Sequence, residues 1–326
     1  VALLLTGLLV YALDYYDLGL EGWANWSLAF MFGSVISATD PVAVVALLKD
    51  LGASKKLGTL IEGESLLNDG TAIVLFMVFF LGLSIAPAEQ IATNGFVEFL
   101  RVAFGGIAVG AIIGVIVLKW IKKVFNDAMV EISVVVAAAY ITFYVAEHFL
   151  AVSGVLALVA LGLILGGLGR SSISPQVEHF MHEFWELAGF VANCLIFLIV
   201  GFVIAERTEF TRNDFAMLGI IYVGIHIVRA IVIAMHYPFM KNTGYGLPVK
   251  DAIVVWYGAL RGAIGLALAL IVMGIDATIM SDTLNNLNET DSYTPELAET
   301  IKNQFLFLIA GTVTLTLLVN ATTIKF

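Results

Sequence analysis

Apolar stretches about twenty residues long, separated by short polar punctuation, run from one end of this chain to the other. About 20 apolar residues at 1.5 Å per residue suffice for a helix to cross the hydrocarbon core of a bilayer. On that measure the pattern predicts ten helices, near 1–13, 27–49, 57–81, 96–120, 130–149, 152–169, 184–205, 214–238, 251–274 and 303–324. The connections are short except for 275–302. Small residues recur inside the spans, as with Gly105, Gly106, Gly110 and Gly114 in the fourth, and allow helix backbones to approach closely. The prediction is an all-α polytopic membrane protein, a helix bundle with no soluble domain.

Composition agrees with the pattern. Hydrophobic residues make up 60% of the 326 and charged residues 13%, with a mean hydropathy of +0.98; soluble domains hold roughly 45–50% apolar and 25% charged residues. The single Cys194 excludes an internal disulfide and a thiolate metal cluster. Val1 reads as an internal start, with no charged segment before a short apolar core that would mark a signal peptide, so further sequence is expected N-terminal to it.

The net charge of −10 matters less than where the charges fall. With alternating spans, one side receives Lys49, Lys55, Lys56, Lys119, Lys122, Lys123, Arg170, Lys241, Lys250 and Lys325, and the other only Arg207, Arg212 and Lys302. The positive-inside rule puts the basic side and the C-terminus in the cytoplasm. The connection 275–302 is then extracellular and carries the sequon Asn288-Glu289-Thr290, making Asn288 a glycosylation candidate. Asn25-Trp26-Ser27 falls against a helix start, and Asn320-Ala321-Thr322 lies on the cytoplasmic side, where it is silent.

Against this background the polar residues inside spans stand out. A carboxylate at bilayer depth costs a few kcal/mol even on lenient scales, so it needs a partner, a cavity or an ion. SATDPVAVVALL places Asp40 before Pro41, and GESLLNDGTAIVLF carries Glu64, Asn68 and Asp69. Arg101 lies near a helix end and can snorkel, but Arg229 and Arg261 lie deep and need internal partners. A guanidinium keeps its proton, so both suit a fixed counter-charge and the proton carriers must be carboxylates.

Two spans are also broken. Pro41 removes a backbone donor and disfavours helical geometry at Asp40. Gly258-Ala259-Leu260-Arg261-Gly262-Ala263-Ile264-Gly265 has three glycines in eight residues. Irregular backbone at this depth persists only where it is buried in protein or lines a cavity. Each break falls in the second span of a three-span unit, and the first unit starts in the cytoplasm while the second starts outside. Paired broken helices in an inverted repeat point to a substrate site at the midplane of a secondary transporter.

The third span supplies the chemistry. Glu64 and Asn68 are four apart and share a face, as do Ser65 and Asp69; Asp69 lies about 18 Å into the span, close to the bilayer centre. Carboxylate, hydroxyl and carbonyl oxygens suit a small hard cation such as Na⁺, and Asp69, Asp40, Thr39 and the loosened carbonyls offer all three. One carboxylate that takes either a proton or Na⁺, but never both, makes an exchanger. Glu62 reads as a solvated rim charge and His226 as a packed, satisfied side chain. His179 and His182 with Glu178 and Glu183 read as plain surface, and Asn193 as an interhelical hydrogen bond. A cation channel calls for a repeated pore helix or filter, and the sequence shows none.

SATDPVAVVALL, GESLLND and YGALRGAIGLALAL, with EHFLAVSGVLALVALGLILG and ANCLIFLIVGFVIAE between them, resemble the sodium/proton exchangers of the monovalent cation/proton antiporter family, in the branch with Asn-Asp. The stretch from Ser37 to Gly70 is most similar to the plant plasma-membrane salt-tolerance exchangers and the sperm-specific exchangers. The resemblance covers essentially the whole chain. It implies an inverted-repeat antiporter fold of about thirteen spans with two crossed, broken helices, of which ten are visible here. Residues 1–81 and 214–326 would form the core transport domain, 82–129 the linker helix and 130–213 part of a dimerisation domain. It further implies Asp69 as the Na⁺/H⁺ carboxylate, Asn68 positioning the site, and Thr39, Asp40 and Ser65 around the ion. Glu64 would pair with Arg261, and Arg229 would compensate helix-end charge. The expected activity is electroneutral exchange of one Na⁺ for one H⁺ by an elevator movement, in a plasma-membrane homodimer without cofactor or enzymatic chemistry. Cytoplasmic regulatory domains could follow Phe326. A K⁺/H⁺ exchanger of the same family and a transport-dead sensor are the alternatives.

Overall fold

The structure is a computed structural model that describes residues 1–16, 20–23, 25–41, 44–45, 55–84, 91–123, 127–168, 175–207, 211–242, 246–287 and 293–323. Among these, every regular element is a helix. In chain order they are α1 (Ala2–Tyr15), α2 (Trp26–Ser37), α3 (Lys55–Ser84), α4 (Ile91–Ile121), α5 (Ala128–Tyr144), α6 (Gly154–Leu168), α7 (Pro175–Arg207), α8 (Arg212–Asn242), α9 (Val249–Tyr257), α10 (Ala263–Met273), α11 (Ala277–Leu287), α12 (Pro295–Leu315) and α13 (Ala321–Thr323). Single π-helical turns follow α5, at Val145–Phe149, and α12, at Thr316–Asn320.

The ten spans expected from hydropathy are not what the described residues show. Six helices are long and apolar enough to cross a membrane, or seven if the bent pair Ala263–Met273 and Ala277–Asn285 is one span. Three shorter apolar helices, Ala2–Tyr15, Trp26–Ser37 and Gly154–Gly167, lie beside them. Four expected spans fall short of that measure: 1–13 and 152–169 form short helices, α2 ends at Ser37, and 251–274 splits into α9 and α10. The connection 275–302 is also not an extended loop. It contains α11, bent 87° from α10, and α12 starts at Pro295 and not at 303. Thr294 caps α12 by accepting the Leu297 N–H at 3.2 Å, with Pro295 in the first turn. The first turn is polar, so a hydropathy window passes over it. Asn288 lies outside the described residues.

The chain divides into two compact units. Unit one, Val1–Ile91 with Ile196–Phe326, contains both broken helices. Asn25 opens α2 by accepting from the Ser27 and Leu28 N–H groups at 2.9 and 3.3 Å. That cap and near-complete burial explain why this asparagine stays inside the fold despite its sequon. Gly33 of α2 lies against the Leu3 carbonyl of α1, where an added Cβ would come within 2.6 Å. Trp23, Phe32 and Phe305 then form a fully buried aromatic triangle, with centroids 5.4–5.9 Å apart, that ties α2 to α12.

Unit two is Ala92–Leu195. Here Gly106 and Gly110 of α4 lie against the backbone of Ser153 and Ala157, and a Cβ at Gly110 would be 2.7 Å from the Ala157 carbonyl carbon. Such contact is what a stripe of small residues permits in a bilayer. Val117, Ile121, Val135, Ala138 and Leu161 join α4, α5 and α6 in one apolar cluster. Ala151, a non-glycine at φ 48°, is held by Arg101, whose guanidinium donates to the Leu150 and Ala151 carbonyls at 3.4 and 3.0 Å. His179 and His182 pair with Glu183 and Glu186 on an exposed helix face.

Candidate functional site

The site is assembled where the two breaks of unit one meet. Helix α2 stops because Pro41 cannot donate: Ala38 is already extended at φ −60° and ψ 135°. Helical bonding resumes at once beyond it, with the Val45 N–H on the Pro41 carbonyl at 2.8 Å. The second break runs from Gly258 to Gly262, where the backbone is extended at φ −122° and ψ −167°. One main-chain hydrogen bond joins the two breaks, from the Asp40 N–H to the Leu260 carbonyl at 2.9 Å. Gly262 is required at this crossing, since a Cβ there would sit 2.6 Å from Asp40 Oδ2.

Helix α3 runs past the crossing and delivers the third span's polar side chains to it. Asp69 accepts the Thr39 N–H on Oδ1 at 3.2 Å. The Ser65 hydroxyl donates to the Thr39 carbonyl and lies 3.5 Å from Asp69 Oδ2, so it can swing between them. The Asn68 amide donates to Thr39 Oγ1 at 3.3 Å and to Glu64 Oε1 at 3.5 Å. Thr39 and Ser65 are buried, whereas Asp69 and Asp40 keep partial access. A narrow cleft lined by Thr39, Asp40, Pro41, Glu64, Ser65 and Arg229 opens beside them. Of the residues singled out in the sequence, Thr39, Asp40, Glu64, Ser65, Asn68, Asp69, Arg229 and Arg261 thus all fall in one place. Glu62 is exposed on α3.

The pairing of the charges differs from expectation. Where a pairing with Arg261 was expected, the Glu64 carboxylate forms its ion pair with Arg229 Nη2 on α8 at 2.5 Å. Arg229 also donates to the Val255 carbonyl in the last turn of α9 at 3.3 Å. Arg261 lies in the extended second break, and from there its guanidinium reaches the end of α2, donating to the Ala38 carbonyl at 3.3 Å. The physical reason is helix termination. Each break leaves carbonyls without intrahelical donors, and those ends carry partial negative charge. Each arginine therefore covers one such end, and Arg229 alone has a geometry left over for Glu64.

Sequence reasoning passed over Thr316. Its hydroxyl, at the start of the π-helical turn after α12, accepts the Arg261 N–H at 3.2 Å while donating to the Val313 carbonyl at 2.9 Å. A hydroxyl in the apolar run VTLTLLVN was the available signal. Beneath the crossing, Val44, Val45, Leu57, Ile61, Val255 and Leu260 form a buried cluster that joins the first break, α3 and α9.

Chemically, the arrangement presents one ionisable acid at the focus, Asp69, with a second acid, Asp40, and the neutral oxygens of Thr39 and Ser65 close by. Among the described residues there is no group of three or more His, Cys, Asp or Glu side chains able to hold a metal ion. The carboxylate, hydroxyl and carbonyl oxygens gathered here are hard donors.

Comparison with known proteins places this geometry. The family model described as sodium/hydrogen exchanger, transmembrane, matches residues 1–326. Sodium/hydrogen exchanger 7 of Arabidopsis thaliana is 38% identical over 309 residues, which is 93% of this chain and 25% of that protein. Sodium/hydrogen exchanger 8 of the same plant is 35% identical, over 92% of this chain and 38% of that protein. The Na(+)/H(+) antiporter ApNhaP of Aphanothece halophytica is 34% identical over 80% of this chain and 49% of its own length. The chain thus spans between a quarter and a half of these relatives. The solved structure of the sodium proton antiporter MjNhaP1 from Methanocaldococcus jannaschii matches with a TM-score of 0.78, covering 98% of this chain and 74% of that one at 19% identity. At that identity the match speaks for the fold, an inverted-repeat antiporter fold with two crossed, broken helices. By sequence and by fold, this chain belongs to the sodium/hydrogen exchanger family.

Proposed function

We propose that the protein exchanges Na⁺ for H⁺ across a membrane, with Asp69 binding the cation and the proton in turn. The observation that carries this reading is the seat of Asp69. One carboxylate faces the crossing, fixed by the Thr39 N–H and within reach of the Ser65 hydroxyl, beside backbone that is not helical. A bare carboxylate is costly at this depth, so it is carried across either protonated or with a cation, and the two ligands exclude one another. Asn68 does not titrate, so one charge is exchanged for one, and the cycle is electroneutral. Li⁺, with the same charge and preference for oxygen, is a second substrate.

The movement that exposes Asp69 to each side is an elevator displacement of the core, residues 1–81 and 214–326, against a dimerisation domain that includes 130–213, with 82–129 as the linker. The protein acts as a homodimer in the plasma membrane. Its basic connections and C-terminal end are cytoplasmic and 275–302 is extracellular. It needs no cofactor and catalyses no covalent chemistry. The charge distribution supports this orientation, and the names of the relatives support the substrates.

The test is exchange in proteoliposomes with Na⁺, Li⁺ and K⁺, wild type against Asp69→Asn. Proton efflux driven by Na⁺ in the wild type and none in the variant is the expected result. Exchange that survives in Asp69→Asn overturns the assignment. Preference for K⁺ moves the protein to a K⁺/H⁺ exchanger, and absence of any flux in the wild type makes it a sensor.

A further inference from the structure

The π-helical turn Thr316–Asn320 holds both ends of the second break. At its start, Thr316 accepts the Arg261 N–H; at its end, Asn320 Nδ2 donates to the carbonyl of Tyr257, the last residue of α9, at 3.1 Å. Both side chains are about 1% exposed. π-Turns inside α-helices often mark functional positions, and this one spaces two polar side chains to match the gap between α9 and α10.

The network around Asn320 allows only one arrangement of protons. Its Oδ1 accepts from the Tyr222 hydroxyl at 2.6 Å, so its Nδ2 faces both the Tyr257 carbonyl and His226 Nε2, the latter at 2.7 Å. Nε2 must then be the acceptor, which leaves the proton on Nδ1, where it is donated to the Tyr222 carbonyl at 2.7 Å. Trp256 Nε1 fixes the same turn of α8 by donating to the His226 carbonyl at 2.9 Å. A protonated His226 would set an N–H against the amide N–H₂. Flipping the amide would instead set Oδ1 against the Tyr257 carbonyl. Either way the hold on α9 is lost.

We propose that His226 and Asn320 form a proton-sensitive latch that positions the broken segment Gly258–Gly262, and that exchange requires His226 to be neutral. The latch builds on the exchange reading above, adding a regulatory input at groups that do not touch the ion. The titratable groups facing His226 are the phenols of Tyr222 on α8 and Tyr257 on α9, with ring centroids 4.6 and 6.3 Å away. Arg229 follows three residues on along α8. The π-turn and α13 contribute the neutral Asn320 and Thr323, and α1 meets α8 through Leu9 at Gly224.

Initial exchange rates of the wild type, His226→Gln and Asn320→Ala in proteoliposomes, from about pH 5.5 to 8, test the latch. Glutamine supplies an acceptor near the place of Nε2 and does not titrate. The ratio of the His226→Gln rate to the wild-type rate is expected near one at the alkaline end and to rise at least about threefold at the acid end. Asn320→Ala should lose about tenfold at every pH, and adding His226→Gln to it should change nothing further. A ratio that stays flat across the range overturns the proposal. The melting temperature in detergent decides the matter separately from transport: the wild type should fall relative to His226→Gln as the pH drops, and parallel curves count against the latch. Absence of wild-type exchange would sink the exchange reading while leaving this second measurement intact.

Discussion

The two breaks at the crossing solve the same problem with opposite means. The first is made by a proline, and it contributes polar groups to the site: the Thr39 N–H donated to Asp69, the Thr39 hydroxyl that accepts from Asn68, and the Asp40 carboxylate lining the cleft. The second is made by glycines, and it contributes fixed positive charge and close backbone, with Arg261 on the end of α2 and Gly262 against Asp40. One break is chemistry and the other is scaffold. The asymmetry teaches that a carboxylate site among apolar helices needs a counterpart of fixed charge, and arginine is the side chain that meets this condition.

The largest effect that could break this comparison is expected at Arg229. Arg229→Gln leaves Glu64, about a third exposed, without its partner and should cost roughly 2–4 kcal/mol of stability. Thermal unfolding in detergent reads this, and adding Glu64→Gln should recover most of the loss. The same cycle run on Glu64 with Arg261 should show no comparable coupling, and a strong one would restore the pairing first expected from the sequence. Next comes Gly262→Ala, whose new Cβ meets Asp40 and should cost about 1–3 kcal/mol and at least about tenfold in exchange rate. Gly265→Ala is the control: its nearest neighbour atom would be 3.5 Å away, so both readouts should stay near wild type. Thr316→Val removes the acceptor for the Arg261 N–H and should cost about 1 kcal/mol in the same unfolding assay. The smallest effect is expected from Ser65→Ala, which leaves Asp69 in place and should raise the KM for Na⁺ about two- to fivefold with little change in maximal rate. A fall in maximal rate with KM unchanged would mean that Ser65 serves the crossing and not the ion.

Much of this was open to reading in the sequence because a membrane makes polar residues conspicuous. Asp40, Glu64, Asn68, Asp69, Arg229 and Arg261 announced themselves by sitting in apolar runs, and Pro41 and the glycines at 258 and 262 announced where helices end. What stayed hidden was which group each one touches. Spacing along a helix fixes a face, but not the rotamer by which Arg261 turns toward α2 while Arg229 turns toward Glu64. Span counting went astray for a related reason, since hydropathy averages over a break and sees one long helix where the backbone makes two short ones. It likewise missed the start of α12, whose first turns are polar but capped by Thr294.

The hydrogen bond from the Asp40 N–H to the Leu260 carbonyl runs entirely between main-chain atoms. The side chains of Thr39 and Ser65 take no part in it, so this link between the two breaks does not rest on which residues stand at those positions. Side chains at positions such as Thr39 and Ser65 can therefore be varied while the main-chain link beside them keeps its alignment. An engineer altering the cleft has those side chains to vary, provided that Gly262 is kept.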